Sequence, residues 1–145
     1  MNNNWFICKI KYEKLMENGV NKKVAENYLV DALSFTEAEK RIIEEMTPVI
    51  TGEFSVAGVA LAKYNDVFFS GDSSDDRWFK CKLGLITLNE KSGVEKKIFI
   101  NILVEAENIS KAIMNLDAGM SNTANYVVAS ISETNIWDVY PFKVK

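Results

Sequence analysis

One pentapeptide occurs twice, as "WFICK" at residues 5–9 and as "WFKCK" at residues 78–82, and this duplication constrains the fold more than any other feature of the chain. A shift of about 73 residues extends the match well past the pentapeptide. "ENGVNKK" is answered by "EKSGVEKK", "NYLVDA" by "NILVEA", and a segment ending "IIEEM" by one ending "LDAGM"; finally "FSVAG…NDVF" is answered by "YVVAS…WDVY". Order and spacing persist, so whatever the first half folds into, the second half repeats.

Each half reads as strand, turn, strand, helix, strand. Phe6, Cys8, Ile10 and Tyr12 alternate with Trp5, Ile7, Lys9 and Lys11, the period of a half-buried strand. Gly19 and Gly93 supply hairpin turns. In the second strand Val24, Tyr28, Val30 and Ala32 share a core face, as do Ile98, Ile100, Ile102, Val104 and Ala106 in the other copy. "SFTE" has the form of a capping box, Ser34 with Glu37, and Asn108 is the matching cap. Phe35, Ala38, Ile42 and Met46 follow at helical spacing, matched by Ile109, Ala112, Leu116 and Met120. Residues 53–69 and 125–140 are each long enough for one bent strand or two short ones. After a hairpin and a helical crossover, the third strand should run parallel to the second and lie beside the first.

The expected fold class is therefore α+β. It is a tandem duplication of a β-β-α-β(β) unit, mainly antiparallel, with one helix per repeat and a pseudo-twofold relation between repeats. The first repeat is placed at 1–70, an acidic linker at 71–77 within "SGDSSDD", and the second repeat at 78–145, the two packed as one globular unit.

Composition removes several classes of function. The 145 residues include no histidine, the commonest general base and metal ligand. Cys8 and Cys81 occupy the same place in the two copies and point to the core of their own halves, so both read as free buried thiols in a reducing compartment. No stretch is apolar enough to cross a membrane, and the start lacks the features of a secretory signal, so the expectation is a cytoplasmic protein without membrane contact. The net charge of −3 decides nothing about polyanionic partners.

Packing explains why Phe6 recurs as Phe79, Cys8 as Cys81 and Val30 as Val104. It does not require what recurs on the opposite face: Trp5 as Trp78, Lys9 as Lys82, Lys23 as Lys97, Asn27 as Asn101, and Leu29 as Leu103. Indole rings can stack unpaired bases while lysines neutralise phosphate, and two copies could track a longer strand. The candidate nucleic-acid residues are Trp5, Lys9, Lys11, Lys23, Asn27, Trp78, Lys80, Lys82, Lys97 and Asn101, with Lys22 and Lys96 adding to a basic rim. Against them stand Glu13, Asp31 and Glu105 nearby and the absence of any named nucleic-acid motif. The competing reading packs these faces on one another or on another chain, with Trp and Leu buried and lysines at the rim.

Other constellations are weaker. "DSSDD" is crowded with oxygen ligands but lacks the spacing and closing Glu of a calcium loop, and reads as a solvated linker. Glu37, Glu39, Glu44 and Glu45 have no acidic counterparts in the second copy, so they read as a solvated helix face. Asp66 and Asp138 do recur, and read as carboxylates serving backbone N–H groups at strand ends. The cysteines have no partner that would make them nucleophiles.

"WFICKIKYEKLMENG", "YLVDALSFTEAEKRIIEEM", "AKYNDVFF" and "DRWFKCK…LNEKSG" resemble a small uncharacterised family of Bacteroides-type bacteria and their phages, over nearly the whole chain. The resemblance implies a cytoplasmic or phage-encoded accessory protein and supplies no catalytic or ligand residues. The expectation is a non-enzymatic binding protein without cofactor or metal. Its ligand is single-stranded DNA or RNA, or alternatively a protein partner or a second copy of the chain.

Overall fold

The structure, a computed structural model, describes residues 4–121 and 125–142. The chain runs β1 (Asn4–Leu15), β2 (Asn21–Ala32), α1 (Phe35–Met46), β3 (Phe54–Ala62), β4 (Asp66–Phe68), β5 (Arg77–Leu88), β6 (Glu95–Ala106), α2 (Ile109–Gly119), β7 (Tyr126–Glu133) and β8 (Ile136–Tyr140). The fold is α+β, as the periodicities indicate. Gly19 and Gly93 take φ of 80° and 71° at the two hairpin turns, a conformation that a Cβ would strain.

The strands form two four-stranded sheets, ordered β3-β1-β2-β8 and β4-β6-β5-β7. The strand after each helix lies beside the first strand of its hairpin and antiparallel to it, hence parallel to the second. The residues after that strand form a further short strand in each half, and here the chain departs from a division at the linker. β8 pairs in parallel with β2, and β4 with β6, so each half sends its last strand into the sheet of the other. The compact units are accordingly Met1–Lys63 with Asn135–Lys145, and Tyr64–Thr134. Sequence reasoning placed the cut at 71–77 because polarity marks a surface segment; strand pairing instead places the boundaries at residues 63/64 and 134/135.

In the first unit, one sheet face carries Phe6, Cys8, Ile10, Tyr28 and Val30 against Ala38, Ile42 and Met46 of α1. In the second, Cys81, Leu83, Ile102 and Val104 pack with Leu116 and Met120. Ser34 Oγ accepts from the Glu37 N–H at 3.1 Å and Asn108 Oδ1 from the Lys111 N–H at 2.8 Å, so both helix starts are capped where expected. Phe35 and Ile109, counted above with the buried stripe, are exposed instead, each being the first residue of its helix. Ile98 is exposed as well, far out on the β5–β6 hairpin.

The acidic segment is held in place. The Asp72 carboxylate accepts from the N–H and hydroxyl of Ser74 and lies 3.4 Å from Lys111 Nζ, while buried Asp75 lies 3.5 Å from the same ammonium and accepts from Asn115 Nδ2. Burial pulls the Asp75 pKa up, but Ser70, Asn115 and Lys111 more than offset it and hold the group below the ordinary carboxylate value. A lysine between two aspartates leaves little reason for a cation, and among the described residues no cluster could hold a metal ion.

Candidate functional site

Strand register puts the sequence-predicted residues on the helix-free faces. In the first unit Trp5 stands opposite Asp31, Lys9 opposite Asn27, Lys11 opposite Ala25, and Glu13 opposite Lys23. In the second, Trp78 stands opposite Glu105, Lys80 opposite Leu103, Lys82 opposite Asn101, and Ile86 opposite Lys97. Lys9, Lys11, Lys23, Lys80, Lys82 and Lys97 are all exposed, and the two asparagines are half-buried. Lys82 Nζ lies 4.9 Å from the centre of the Phe99 ring.

The tryptophans differ from one another. Trp5 is half-buried, whereas Trp78 is only 3% exposed, with the edge of its ring against Phe69 at 5.4 Å between centroids. In this conformation the Trp78 ring offers no free face to a base. Leu29 and Leu103, which recur on the same faces, are fully buried. The exposed indole is Trp137 of β8, 58% accessible, with Lys14 Nζ 5.6 Å from its ring centre. Sequence reasoning passed over it because its counterpart in the other copy is Asn65, so it is not a repeated residue.

A second missed feature is on the helix-covered face. Glu26 sits in register with Ile10, is only 6% exposed, and accepts hydrogen bonds from Tyr12 Oη at 3.0 Å and Tyr28 Oη at 2.9 Å, both at Oε1. Tyr140 stacks on Tyr28 with 6.0 Å between centroids. Burial, and then the bond to Glu26, raises the Tyr12 and Tyr28 hydroxyl pKa values, and burial followed by Asp138 and Glu45 lifts Tyr140 to about 12. The second unit has Leu85, Ile100, Ile102 and Phe68 at the corresponding positions. The signal was available: Glu26 interrupts an apolar alternation that its repeat keeps intact.

Tyr12 also lines an open concavity of about 1290 Å³ between the outer part of the β1–β2 hairpin and the segment joining α1 to β3. Its apolar lining includes Val24, Ile50 and Phe54, and its charged lining includes Lys14, Lys23 and Glu53. The remaining candidates have structural roles. Asp66 and Asp138 each accept from the next residue's N–H at 2.8 Å. Cys8 and Cys81 are free and buried, and burial pushes their thiols up to about 12 and about 11, with Glu39 adding to the rise at Cys8. Among the described residues no helix is long and apolar enough to cross a membrane.

No curated protein matches the chain. The family model described as Domain of unknown function (DUF4494) matches residues 4–142, which takes in both hairpins, both helices and both exchanged strands. The two units built from that span are thus the substance of the family's domain, and the chain belongs to this family of unknown function.

Proposed function

We propose that the chain is a non-enzymatic binding protein whose ligand is single-stranded nucleic acid, held through phosphate contacts to the lysines of the helix-free faces. The observation that carries this reading is the recurrence of an exposed lysine directly across from an asparagine, Lys9 with Asn27 and Lys82 with Asn101, flanked by Lys11 and Lys23 in one unit and Lys80 and Lys97 in the other. Lysines neutralise phosphate, and an amide can donate to phosphate or base. With Trp78 buried, indole stacking on the helix-free faces falls to the accessible part of Trp5, and exposed Trp137 lies by Lys14, whose strand parity is that of the helix-covered face. The absence of a catalytic role is supported by the two thiols, both buried and raised.

The test is binding of labelled single-stranded DNA and RNA at low and physiological salt, with Lys9, Lys23, Lys82 and Lys97 changed to Gln. The logarithmic salt slope should fall by up to about 0.7 for each lysine that contacts phosphate. A Trp137→Ala variant should weaken binding by about 1–3 kcal/mol if a base stacks there. No binding by the unmodified protein at low salt, or binding that the lysine changes leave untouched, overturns the reading.

A second reading, a protein-interaction or self-association module, is favoured by α2, which turns Ile109, Ile113 and Met114 to solvent. It predicts a concentration-dependent mass in light scattering that Ile113→Glu abolishes.

A further inference from the structure

A protein that holds an unpaired strand by its bases needs an aromatic ring left open on a basic surface. On the helix-free face of the second unit, where Trp78 is buried, Phe99 of β6 supplies one, with 53% of its surface exposed. Register puts Lys97 and Asn101 on the same face, each two residues along β6 from Phe99; Lys82 stands across from Asn101, and Gly84 across from Phe99 itself. Residues two apart on a strand are separated by about 7 Å, so the ring has a lysine on either side of it along the sheet. On one side the contact is direct, Lys82 Nζ lying 4.9 Å from the ring centre.

The fold does not require this ring. The first unit builds the same hairpin with Lys11 opposite Ala25, where the second has Gly84 opposite Phe99. One strand has lost a side chain and its neighbour has gained an aromatic one. A Cβ on Gly84 would lie 2.8 Å from Lys97 Cδ and 3.2 Å from Val127 Cγ2. The methylenes of Lys97 therefore occupy the place of the missing side chain, directly across from Phe99. Lysine is depleted from the cores of protein interfaces, so an open ring set between two lysines suits a polyanion that also carries flat apolar groups better than it suits another protein.

We propose that Phe99 is the base-stacking platform of the second unit, with an unpaired base on its ring and the flanking phosphates on Lys82 and Lys97. The inference rests on the reading of the chain as a single-strand binder and deepens it: the ligand is held by a base as well as by its phosphates, and at this position in one unit only, since the first has Ala25 there. An exposed cation–π contact is weaker than a base stacked on the same ring, so Lys82 yields the ring to the base and turns to phosphate.

The test is fluorescence anisotropy at low salt with the full chain and two labelled probes, oligothymidylate and an abasic oligonucleotide of the same length, which keeps the phosphates and lacks the bases. Two variants accompany it: Phe99→Ala, which installs the residue that the first unit already carries, and Phe99→Tyr, which keeps a ring. The unmodified chain should prefer oligothymidylate. Phe99→Ala should lose about ten-fold in affinity for oligothymidylate, as when one stacked base is lost, and nothing for the abasic strand, whereas Phe99→Tyr should bind both as the unmodified chain does. Undiminished affinity of Phe99→Ala for oligothymidylate, or an equal loss on both probes, overturns the inference while the single-strand reading stands. So does a loss in Phe99→Tyr as large as that in Phe99→Ala. No binding of either probe by the unmodified chain overturns that reading and this inference together.

Discussion

At the scale of single residues, the protein holds several acids in their protonated form by burial. The Cys8 thiol is raised to about 12 and that of Cys81 to about 11, from an ordinary 9.0, and Tyr140 is raised to about 12 from an ordinary 10.0. A group whose folded pKa lies above its unfolded value contributes stability that is fully present below the unfolded pKa and is lost as pH rises through the folded one. These groups should therefore leave stability unaffected up to about pH 9 and reduce it progressively between about pH 9 and 12. The urea unfolding midpoint measured across that range should fall. A Cys8→Ala variant should lose less over the same interval, since it no longer has the thiol whose ionisation opposes folding. A midpoint that holds level to the top of the range would show that these groups are less buried than their accessibility indicates.

At the scale of elements, the short exchanged strands depend on how closely they fit the helices. Gly119 ends α2 where the Phe68 ring of β4 passes, and a Cβ built there would lie 2.5 Å from ring carbons. Gly119→Ala should destabilise the protein by about 1–3 kcal/mol, as overpacking does, and Phe68→Leu in the same chain should recover part of the loss. Chemical unfolding of the three variants measures this; equal stability of Gly119→Ala and the parent would mean that the ring moves aside freely. Helix starts depend on their caps in the ordinary way, and Ser34→Ala or Asn108→Ala should each cost about 1 kcal/mol. Both edge strands beside the first strands carry a bulge at the same place, Ala57 opposite the Lys9/Ile10 step and Ala129 opposite Lys82/Leu83. Bulges of this kind twist an edge and discourage pairing with further strands.

At the scale of the whole molecule, reciprocal exchange of β4 and β8 makes each half dependent on the other. Fragments 1–70 and 71–145 each contain a hairpin and a helix but lack the strand that completes the sheet beside β2 or β6. Each fragment alone should be largely unfolded, and mixing them should restore the native near-ultraviolet circular dichroism. A fragment that folds cooperatively by itself would show that the exchanged strand is dispensable. What the sequence by itself determined is local: alternation located the strands, glycines the hairpin turns, Ser34 and Asn108 the helix starts, and repetition the likeness of the two sheets. It also put Lys9, Lys11, Lys23, Lys80, Lys82 and Lys97 on the helix-free faces, since a side chain's face follows from parity along a strand, whereas Lys22 and Lys96, counted with the basic rim, have the opposite parity. Three things were decided only in tertiary structure. The partners of β4 and β8 depend on which sheet edge a short strand reaches, and the strand's own residues carry no such address. The burial of Trp78, whose ring meets Phe69 edge-on, is not given by strand parity, which puts it on the helix-free face. The union of Tyr12, Glu26 and Tyr28 depends on hairpin register, which sets residues 14 apart in the chain within 3.0 Å of one another.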